Sequence, residues 1–432
     1  MKPKKSLAKW LDYIESLHPS EIELGLDRVQ QVADRAGVLS QTPFVVTIAG
    51  TNGKGTTIAA LESVLLEAGL CVGAYTSPHL LHYNERVRIN GRMISDQSLC
   101  ESFSEIDDIR QDISLTYFEF ATLSALWLFK RESLDIILLE VGLGGRLDAV
   151  NAVEPDVSVL TSIGFDHTDW LGTTLESIAA EKAAIVRDGK PFICGADNLP
   201  TRVQEALTKR ALPFIPRSQF DASTIEDGQG GDKWSWQGID ERNDPVEING
   251  LPPTKIPLAN ASVALQVLQF LPFEIDDHQV IVGIEKAKLA GRLQQFNIGK
   301  MTFLVDVAHN EQAATYLAEQ LVKIRLKYNK VIALYSALRD KDSDAVIKVM
   351  SGVVDSWLIA SLDAPRASTI EQLNSSLQTN HIDNAQCFTT VREALLHLSL
   401  INDQKTLIVV FGSFYTVAEA LQFYTQSEQQ ES

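Results

Sequence analysis

The segment Gly50-Thr51-Asn52-Gly53-Lys54-Gly55-Thr56-Thr57 sets a lysine and paired threonine hydroxyls among glycines. It follows the apolar, β-branched run Phe44 to Ala49 and precedes the amphipathic stretch Ile58 to Ala68, so a buried strand enters a glycine-rich turn and leaves as a helix. Such a turn aims backbone N–H groups and a helix N-terminus at an anion. The lysine adds a point charge for terminal phosphates, and a threonine hydroxyl can hold Mg²⁺. The expected chemistry is nucleotide binding through Gly53, Lys54, Gly55, Thr56 and Thr57. The pattern departs from G-x-x-x-x-G-K-[ST]: Ile48 stands where the first glycine would be, and Gly55 separates Lys54 from Thr56.

Other polar residues stand where an open α/β sheet places ligands, at the carboxyl ends of strands. Glu140 closes the apolar run Asp135 to Val141, where a carboxylate suits Mg²⁺ or only caps the strand. His167 follows Val157 to Ser162 among Asp166, Thr168 and Asp169. Asp306 ends Phe303 to Val307 ahead of His309-Asn310. Lys182 shares helical spacing with Ile178, Ala179 and Ile185, which by itself describes a solvated or snorkelling lysine. Thr116-Tyr117-Phe118-Glu119 and Leu147-Asp148-Ala149 carry no generic chemistry, although Tyr117 and Phe118 could stack on a planar ring.

The elements that must position these residues alternate. Phe44 to Ala49, Cys71 to Tyr75, Asp135 to Val141, Val157 to Ser162 and Phe192 to Cys194 read as strands, with helical periodicity between them. Runs such as Ile136-Ile137-Leu138-Leu139 argue for a largely parallel sheet covered on both faces. From Ser218 to Thr254 the composition turns to Gly, Asp, Asn, Trp and Pro, and Asp227-Gly228-Gln229-Gly230-Gly231 and Asn249-Gly250 predict hairpins or a long excursion. Helices are expected near Leu258 to Leu271 and Asp276 to Ala287. A second alternation then begins at Thr302, with strands Phe303 to Val307, Val331 to Tyr335, Ser356 to Ala360 and Leu407 to Phe411. The boundary is expected between Ala287 and Arg292, giving domains 1–287 and 288–432, with a Gln/Glu-rich tail after Phe423 that frays.

Composition bounds the rest. The 432 residues suit two sizeable domains, and 45% apolar against 22% charged residues is ordinary globular usage. A formal net charge of −18 repels duplex nucleic acid and anionic membranes at long range, so neither is an expected partner and any phosphate needs a local device. Cys71, Cys100, Cys194 and Cys387 are scattered, with neither a disulfide framework nor a thiolate zinc site. No run approaches the roughly 18 apolar residues of a membrane span, and the basic start Met1-Lys2-Pro3-Lys4-Lys5 is followed by helical spacing and no apolar core. A cytoplasmic monomer is expected.

Gly-Thr-Asn-Gly-Lys-Gly-Thr resembles the variant P-loop of the folylpolyglutamate synthase/dihydrofolate synthase family, relatives of the Mur ligases. Further motifs agree in order: Thr76-Ser77-Pro78-His79-Leu80, Thr116 to Thr122, Glu140 to Ala149, Asp166-His167-Thr168, Glu181-Lys182-Ala183, Gly291-Arg292-Leu293 and Asp306 to Asn310. The resemblance covers both domains. It implies a P-loop, Mur-ligase-like ATPase domain with a mainly parallel sheet, followed by a smaller Rossmann-like α/β domain. It also implies that Ser77, Glu140 and His167 are ligands of Mg²⁺ or Mn²⁺, and that Lys182 can carry a carbamate that helps hold a second metal. Thr116 to Glu119 and Leu147 to Ala149 would line a pteroate pocket, with Asp27 and Arg28 in a loop near the same ligand. Asn260, Arg292 and Asp306 would contact the nucleotide from the side opposite the P-loop, and His309 and Ser413 would meet the incoming glutamate.

The activity implied is ATP-dependent amide ligation. L-glutamate is joined to dihydropteroate, and folates are extended, through an acyl phosphate, with Lys54, Lys182 and His309 as the catalytic groups. The motifs Thr-Tyr-Phe-Glu and Leu-Asp-Ala favour this bifunctional form, which serves folate biosynthesis and one-carbon metabolism, over a folate-chain extender alone. A Mur-type amino-acid ligase is disfavoured by Gly55 and by the lack of a domain before the P-loop. A noncatalytic nucleotide-binding regulator would have no need for Ser77, Glu140 and His167 together.

Overall fold

The computed structural model describes residues 5–20, 22–40, 42–225, 233–401 and 403–431. The chain forms two compact units, Met1–Lys288 and Leu289–Ser432. The strands of the first unit's large sheet are β1 (Phe44–Ala49), β2 (Val72–Tyr75), β3 (Val87–Ile89), β4 (Arg92–Met93), β5 (Ile136–Glu140), β6 (Val157–Leu160), β7 (Phe192–Cys194) and β8 (Phe214–Ile215). Their order is β4-β3-β2-β5-β1-β6-β7-β8. All pairs from β2 to β8 are parallel, and only the β2/β3 and β3/β4 pairs are antiparallel. The β3–β4 hairpin at the edge was not anticipated, because two or three partly exposed residues carry too little periodicity to register as strands.

The continuous apolar runs are explained by where alternate side chains go. Val45, Ala49, Ile137 and Leu139 enter one core with the helix Tyr117–Lys130. Val46, Ile48, Ile136 and Leu138 enter another with the helices Lys54–Glu67 and Leu258–Leu268. With both faces covered, neither set can be polar.

Between Ser218 and Thr254 the described residues hold a three-stranded antiparallel sheet of β9 (Asp221–Ile225), β10 (Lys233–Ile239) and β11 (Pro245–Leu251), in the order β11-β10-β9. The expected Asp227 to Gly231 turn lies outside the described residues. Trp234 and Trp236 seal this sheet. Trp236 Nε1 donates to Ser262 Oγ at 3.1 Å, and Gln266 exchanges bonds with both backbone groups of Ile239, so the excursion is clamped onto the helix Leu258–Leu268.

The second unit holds β12 (Gln294–Ile298), β13 (Met301–Asp306), β14 (Lys330–Tyr335), β15 (Ser356–Ala360), β16 (Gln386–Phe388) and β17 (Thr406–Phe411), in the order β12-β13-β17-β14-β15-β16. Every pair is parallel except β12/β13. The tail expected to fray after Phe423 instead continues the helix Phe414–Glu431. Val417, Ala420, Leu421 and Phe423 bury the first half of this helix and Tyr424 stacks on Phe296 at 4.4 Å, so the polar end continues a helix that is already anchored. Among the described residues, no helix is long and apolar enough to cross a membrane.

Candidate active site

Register gathers the site. Ile48 of β1 lies opposite Glu140 of β5, Ala49 opposite Leu160 of β6, and Tyr75 of β2 opposite Leu139. The chain leaves β1, β2, β5 and β6 at one edge, carrying Gly50 to Thr57, Ser77, Glu140 and the segment to His167 with it. This edge flanks the central strand β1, where strand order reverses and open α/β sheets form their ligand crevice.

Gly53 is the N-cap of the helix Lys54–Glu67, and no side chain caps that end. The first helical bond runs from Thr57 N–H to Gly53 C=O at 2.9 Å, so the preceding N–H groups point beyond the helix. Gly53 has φ +90°, and a Cβ there would come within 2.5 Å of Asn260 Oδ1. At Gly50 a Cβ would come within 2.0 Å of Thr161 Oγ1. Only backbone fits in this cradle, which suits a phosphate chain in close approach. Lys54 Nζ donates to Gly50 C=O at 3.0 Å and to Thr51 C=O at 3.5 Å, folded back over the turn. Thr56 Oγ1 donates to Gly53 C=O at 3.0 Å and accepts from Asn260 Nδ2 at 2.6 Å, whereas the sealed Thr57 hydroxyl makes no hydrogen bond.

Asn260, expected opposite the P-loop with Arg292 and Asp306, belongs to the first unit and touches the P-loop itself. The helix that carries it packs against Lys54–Glu67 through its apolar face, and no strand-end signal marks such a contact.

Ser77 N–H donates to Glu140 Oε2 at 3.1 Å, so the implied metal ligands Ser77 and Glu140 are neighbours. Thr51 exchanges bonds with Gly164 through its hydroxyl, at 3.1 and 3.0 Å, and Asn52 N–H donates to Ser162 Oγ at 2.9 Å. The P-loop is thereby stitched to the segment that leads to His167. His167 has φ +51°, with its Nε2 3.9 Å from Asp166 Oδ1. Among the described residues, no three His, Cys, Asp or Glu side chains gather as a metal group. The set implied here contains only two of those types, Glu140 and His167, completed by Ser77 and Lys182.

Lys182 is buried, and its Nζ donates to Gly50 C=O at 3.4 Å, the carbonyl that Lys54 also uses. Burial, followed by the charge of Lys54, draws its ammonium down to about 7, against the pull of Asp166, Asp148 and Glu181. Spacing by itself indicated a solvated lysine; tertiary packing of the helix Leu175–Ala183 buries it.

The implied pteroate segments prove to be tightly braced. Thr116 is the N-cap of the helix Tyr117–Lys130, in a capping box with Glu119, whose carboxylate also accepts from Arg28 Nη2 at 2.9 Å. Asp27 and Arg28 do not lie in a loop. They begin the helix Asp27–Ala36, where the negative charge of Asp27 favours the first turn. Phe118 lies 5.9 Å from the Tyr75 ring and so close over Gly142 that a Cβ there would meet it at 2.5 Å. Leu147 is half-buried and Ala149 buried on either side of Asp148.

Asp148 is enclosed and accepts N–H bonds from Gly142, Leu143 and Val150 at 2.8 to 3.0 Å. Burial pushes its carboxyl up to about 6, against these donors and Lys54. Its proton is thus held to higher pH in the folded chain. Its contribution to stability is complete below pH 3.8 and lost as pH rises through about 6. Urea unfolding of the ligand-free protein from about pH 4 to 7 should show wild type losing stability relative to the non-titrating Asp148→Asn; a pH-independent difference would contradict this.

In the second unit the parallel neighbours β13 and β17 end together, Asp306 opposite Phe411. Asp306 accepts from Leu293 N–H and Ala308 N–H, both at 2.9 Å, with Arg292 Nη1 at 3.9 Å. The Arg292 guanidinium carbon is 5.7 Å from the Phe414 ring centroid, and His309 is 6.3 Å from the same ring. His309 Nδ1 lies 2.8 Å from Val307 C=O. The Ser413 hydroxyl is buried and accepts from Thr416 N–H at 3.0 Å, so part of its capacity caps the last helix. Arg292, Asp306, His309 and Ser413 are therefore one cluster around Phe414.

Arg86 and Tyr83 border Tyr117, with His79 against both of them, and sequence reasoning missed Arg86 and Tyr83. A lone arginine before a short edge strand carries no signal that separates it from a surface charge.

Two family models match the chain: the Mur ligase middle domain over residues 48–239 and the Mur ligase glutamate ligase domain over residues 291–414. The dihydrofolate synthase/folylpolyglutamate synthase of Escherichia coli strain K12 is 42% identical, over 96% of this chain and 95% of its own. The structure of E. coli FolC in complex with DHPP and ADP superposes with a TM-score of 0.91 at 41% identity, covering 98% of this chain and 99% of that one. The bifunctional folylpolyglutamate synthase/dihydrofolate synthase of Yersinia pestis, complexed with AMPPNP and Mn ion, gives 0.89 at 42%, covering 98% and 100%. Identity at this level, carried across both units with a Mur ligase model on each, shows that the chain belongs to the dihydrofolate synthase/folylpolyglutamate synthase family of Mur ligases.

Proposed function

We infer that this chain is an ATP-dependent ligase that joins L-glutamate to 7,8-dihydropteroate and also extends tetrahydrofolate-type folates. The observation that carries the reading is the helix end at Gly53 without a side-chain cap, with Lys54 folded over the turn and Glu140 opposite Ile48 at the end of the strand that leads into it. A carboxylate is a poor acyl donor because its leaving group would be oxide. Transfer of the γ-phosphoryl group of ATP to it gives an acyl phosphate, and the amine of glutamate then displaces phosphate to form the amide.

The chain's own residues bind and orient. Gly53, Lys54, Gly55, Thr56 and Thr57 hold the phosphates, with Asn260 supporting Thr56, and Lys54 offsets the charge that spreads over the transferring group. Ser77, Glu140 and His167 offer the hydroxyl, carboxylate and imidazole that suit Mg²⁺ or Mn²⁺, which when bound neutralises phosphate charge. As an ammonium, Lys182 opposes a dication there. As a carbamate, it would add a carboxylate and remove the repulsion with Lys54. Tyr117 and Phe118, with Asp27, Arg28, Thr116, Glu119, Leu147, Asp148 and Ala149 around them, receive the pteroate part. In the second unit Arg292 and Asp306 contact the nucleotide, while His309 and Ser413 meet glutamate. The protein acts as a cytoplasmic monomer on these small molecules, with neither nucleic acid nor membrane as partner; the overall charge of −18, which repels anionic duplexes and membranes, supports the absence of those two partners.

The test combines purified protein, ATP, Mg²⁺ and glutamate with either dihydropteroate or a reduced folate, and follows ADP release and product mass. Glutamate added to both acceptors is the expected result. Product from the folate alone would leave a chain extender, and product from neither would overturn the reading.

A further inference from the structure

Arg86 ends the 3-10 turn Tyr83–Arg86 and is only 8% exposed. Its Nε donates to His79 Nδ1 at 2.9 Å, and its guanidinium carbon lies 5.5 Å from the Tyr83 ring centroid and 5.6 Å from that of Tyr117. Those tyrosine rings meet edge to face at 6.1 Å. The other enclosed arginines have carboxylate partners. Arg88, two residues on, forks onto Glu62 at 2.8 and 2.9 Å, Arg28 reaches Glu119 and Arg110 reaches Asp107. Among the described residues no carboxylate pairs with Arg86, and the histidine beside it supplies no negative charge. Among the described residues its terminal nitrogens donate to no protein atom, yet they are not sealed: the sealed side-chain polar atoms without a partner there are Thr47 Oγ1 and Thr57 Oγ1. An enclosed cation with its planar fork still open is incomplete without an anion.

The surrounding chain holds this fork rigidly. Glu85 accepts N–H bonds from Leu80, Leu81 and His82, each at 2.7 Å, and so ties the turn that starts at Ser77. Arg86 C=O accepts from Thr76 N–H at 2.9 Å. The anion site thus borders Tyr117, within the segment read above as the pteroate pocket, and this inference rests on that reading.

The ligand's chemistry decides which anion fits. The nucleotide phosphates already have the glycine-rich cradle and Lys54, and a pterin ring is neutral. Dihydropteroate has one carboxylate, which must attack phosphorus, and a guanidinium forked onto it would draw away the electron density the attack needs. A folylglutamate has two carboxylates, and one of them stays unreacted. We propose that Arg86 binds the unextended carboxylate of the folate acceptor, and so is a specificity residue that serves folate extension and not dihydrofolate synthesis.

The test measures kcat/KM for a reduced folate, for the same folate with its unextended carboxylate made a carboxamide, and for dihydropteroate, using wild type and Arg86→Gln. Wild type should use the carboxamide about 30-fold less efficiently than the acid, chiefly through KM, the effect expected for loss of a desolvated charge pair. Arg86→Gln should treat acid and carboxamide within about threefold of each other, with its preference for folate over dihydropteroate lowered by a similar factor to wild type's loss. Equal use of acid and carboxamide by wild type overturns the proposal, whether or not the variant folds. So does Arg86→Gln that loses both acceptors equally while still discriminating against the carboxamide, since Arg86 would then only brace the turn. Wild type that turns over neither natural acceptor overturns the underlying functional reading instead, and with it this proposal.

Discussion

Lys54→Ala is expected to lower kcat for ligation by about 10³-fold or more, with either acceptor. In the structure its ammonium caps Gly50 and Thr51 carbonyls of the turn it would serve, so it is positioned by the loop and free to exchange those acceptors for phosphate oxygens. Its charge is useful mainly while the phosphoryl group is in transit, so kcat should suffer more than KM for ATP. Removing it strips two bonds to backbone carbonyls from a loop also stitched by Thr51, Asn52 and Thr161, so the fold should survive. Steady-state kinetics, alongside an unfolding curve on the same preparation, checks both parts. Ligation by Lys54→Ala within tenfold of wild type would refute the role.

The second large effect is expected at Lys182. Lys182→Ala should lose about 10² to 10³ in kcat, and small carboxylates such as formate or acetate should restore part of it. The argument is electrostatic. Two ammonium groups share Gly50 C=O, one of them buried and drawn down to about 7, which is an unfavourable way to fill the space beside a phosphate site. The ammonium first gives one proton to solvent; the neutral amine then adds CO₂, an N–C bond forms and a second proton leaves, so that over two proton losses a cation becomes an anion next to Lys54. Alanine at 182 leaves a gap near the size of a small carboxylate, which is what rescue requires. Mass spectrometry under native conditions should also find the added CO₂ on wild type and not on the variant. Full activity of Lys182→Ala without added carboxylate would exclude a catalytic carbamate.

Much of the framework was legible in the chain, because it depends on local patterns. The apolar runs at Phe44 to Ala49 and Ile136 to Glu140 could only be strands covered on both faces, and the glycines around Lys54 could only be a turn into a helix. Strand-end polar residues such as Glu140 and Asp306 were recognisable for the same reason. The elements that escaped had weak local signals: the β3–β4 hairpin, the short or edge strands β8, β12 and β16, and the end of the final helix, whose first half is anchored by Val417, Ala420 and Leu421.

Residue types and their order along the chain determined that a phosphate turn, a parallel sheet and a second α/β unit would form, since each follows from spacing within a few tens of residues. What only the tertiary structure decided were the environments: Lys182 buried against the P-loop, Asn260 hydrogen-bonded to Thr56, Asp148 enclosed by backbone donors, and Arg86 held between two tyrosines without a carboxylate. Those depend on contacts between segments far apart in the chain. Desolvation and charge act through space, and periodicity along the chain does not record them.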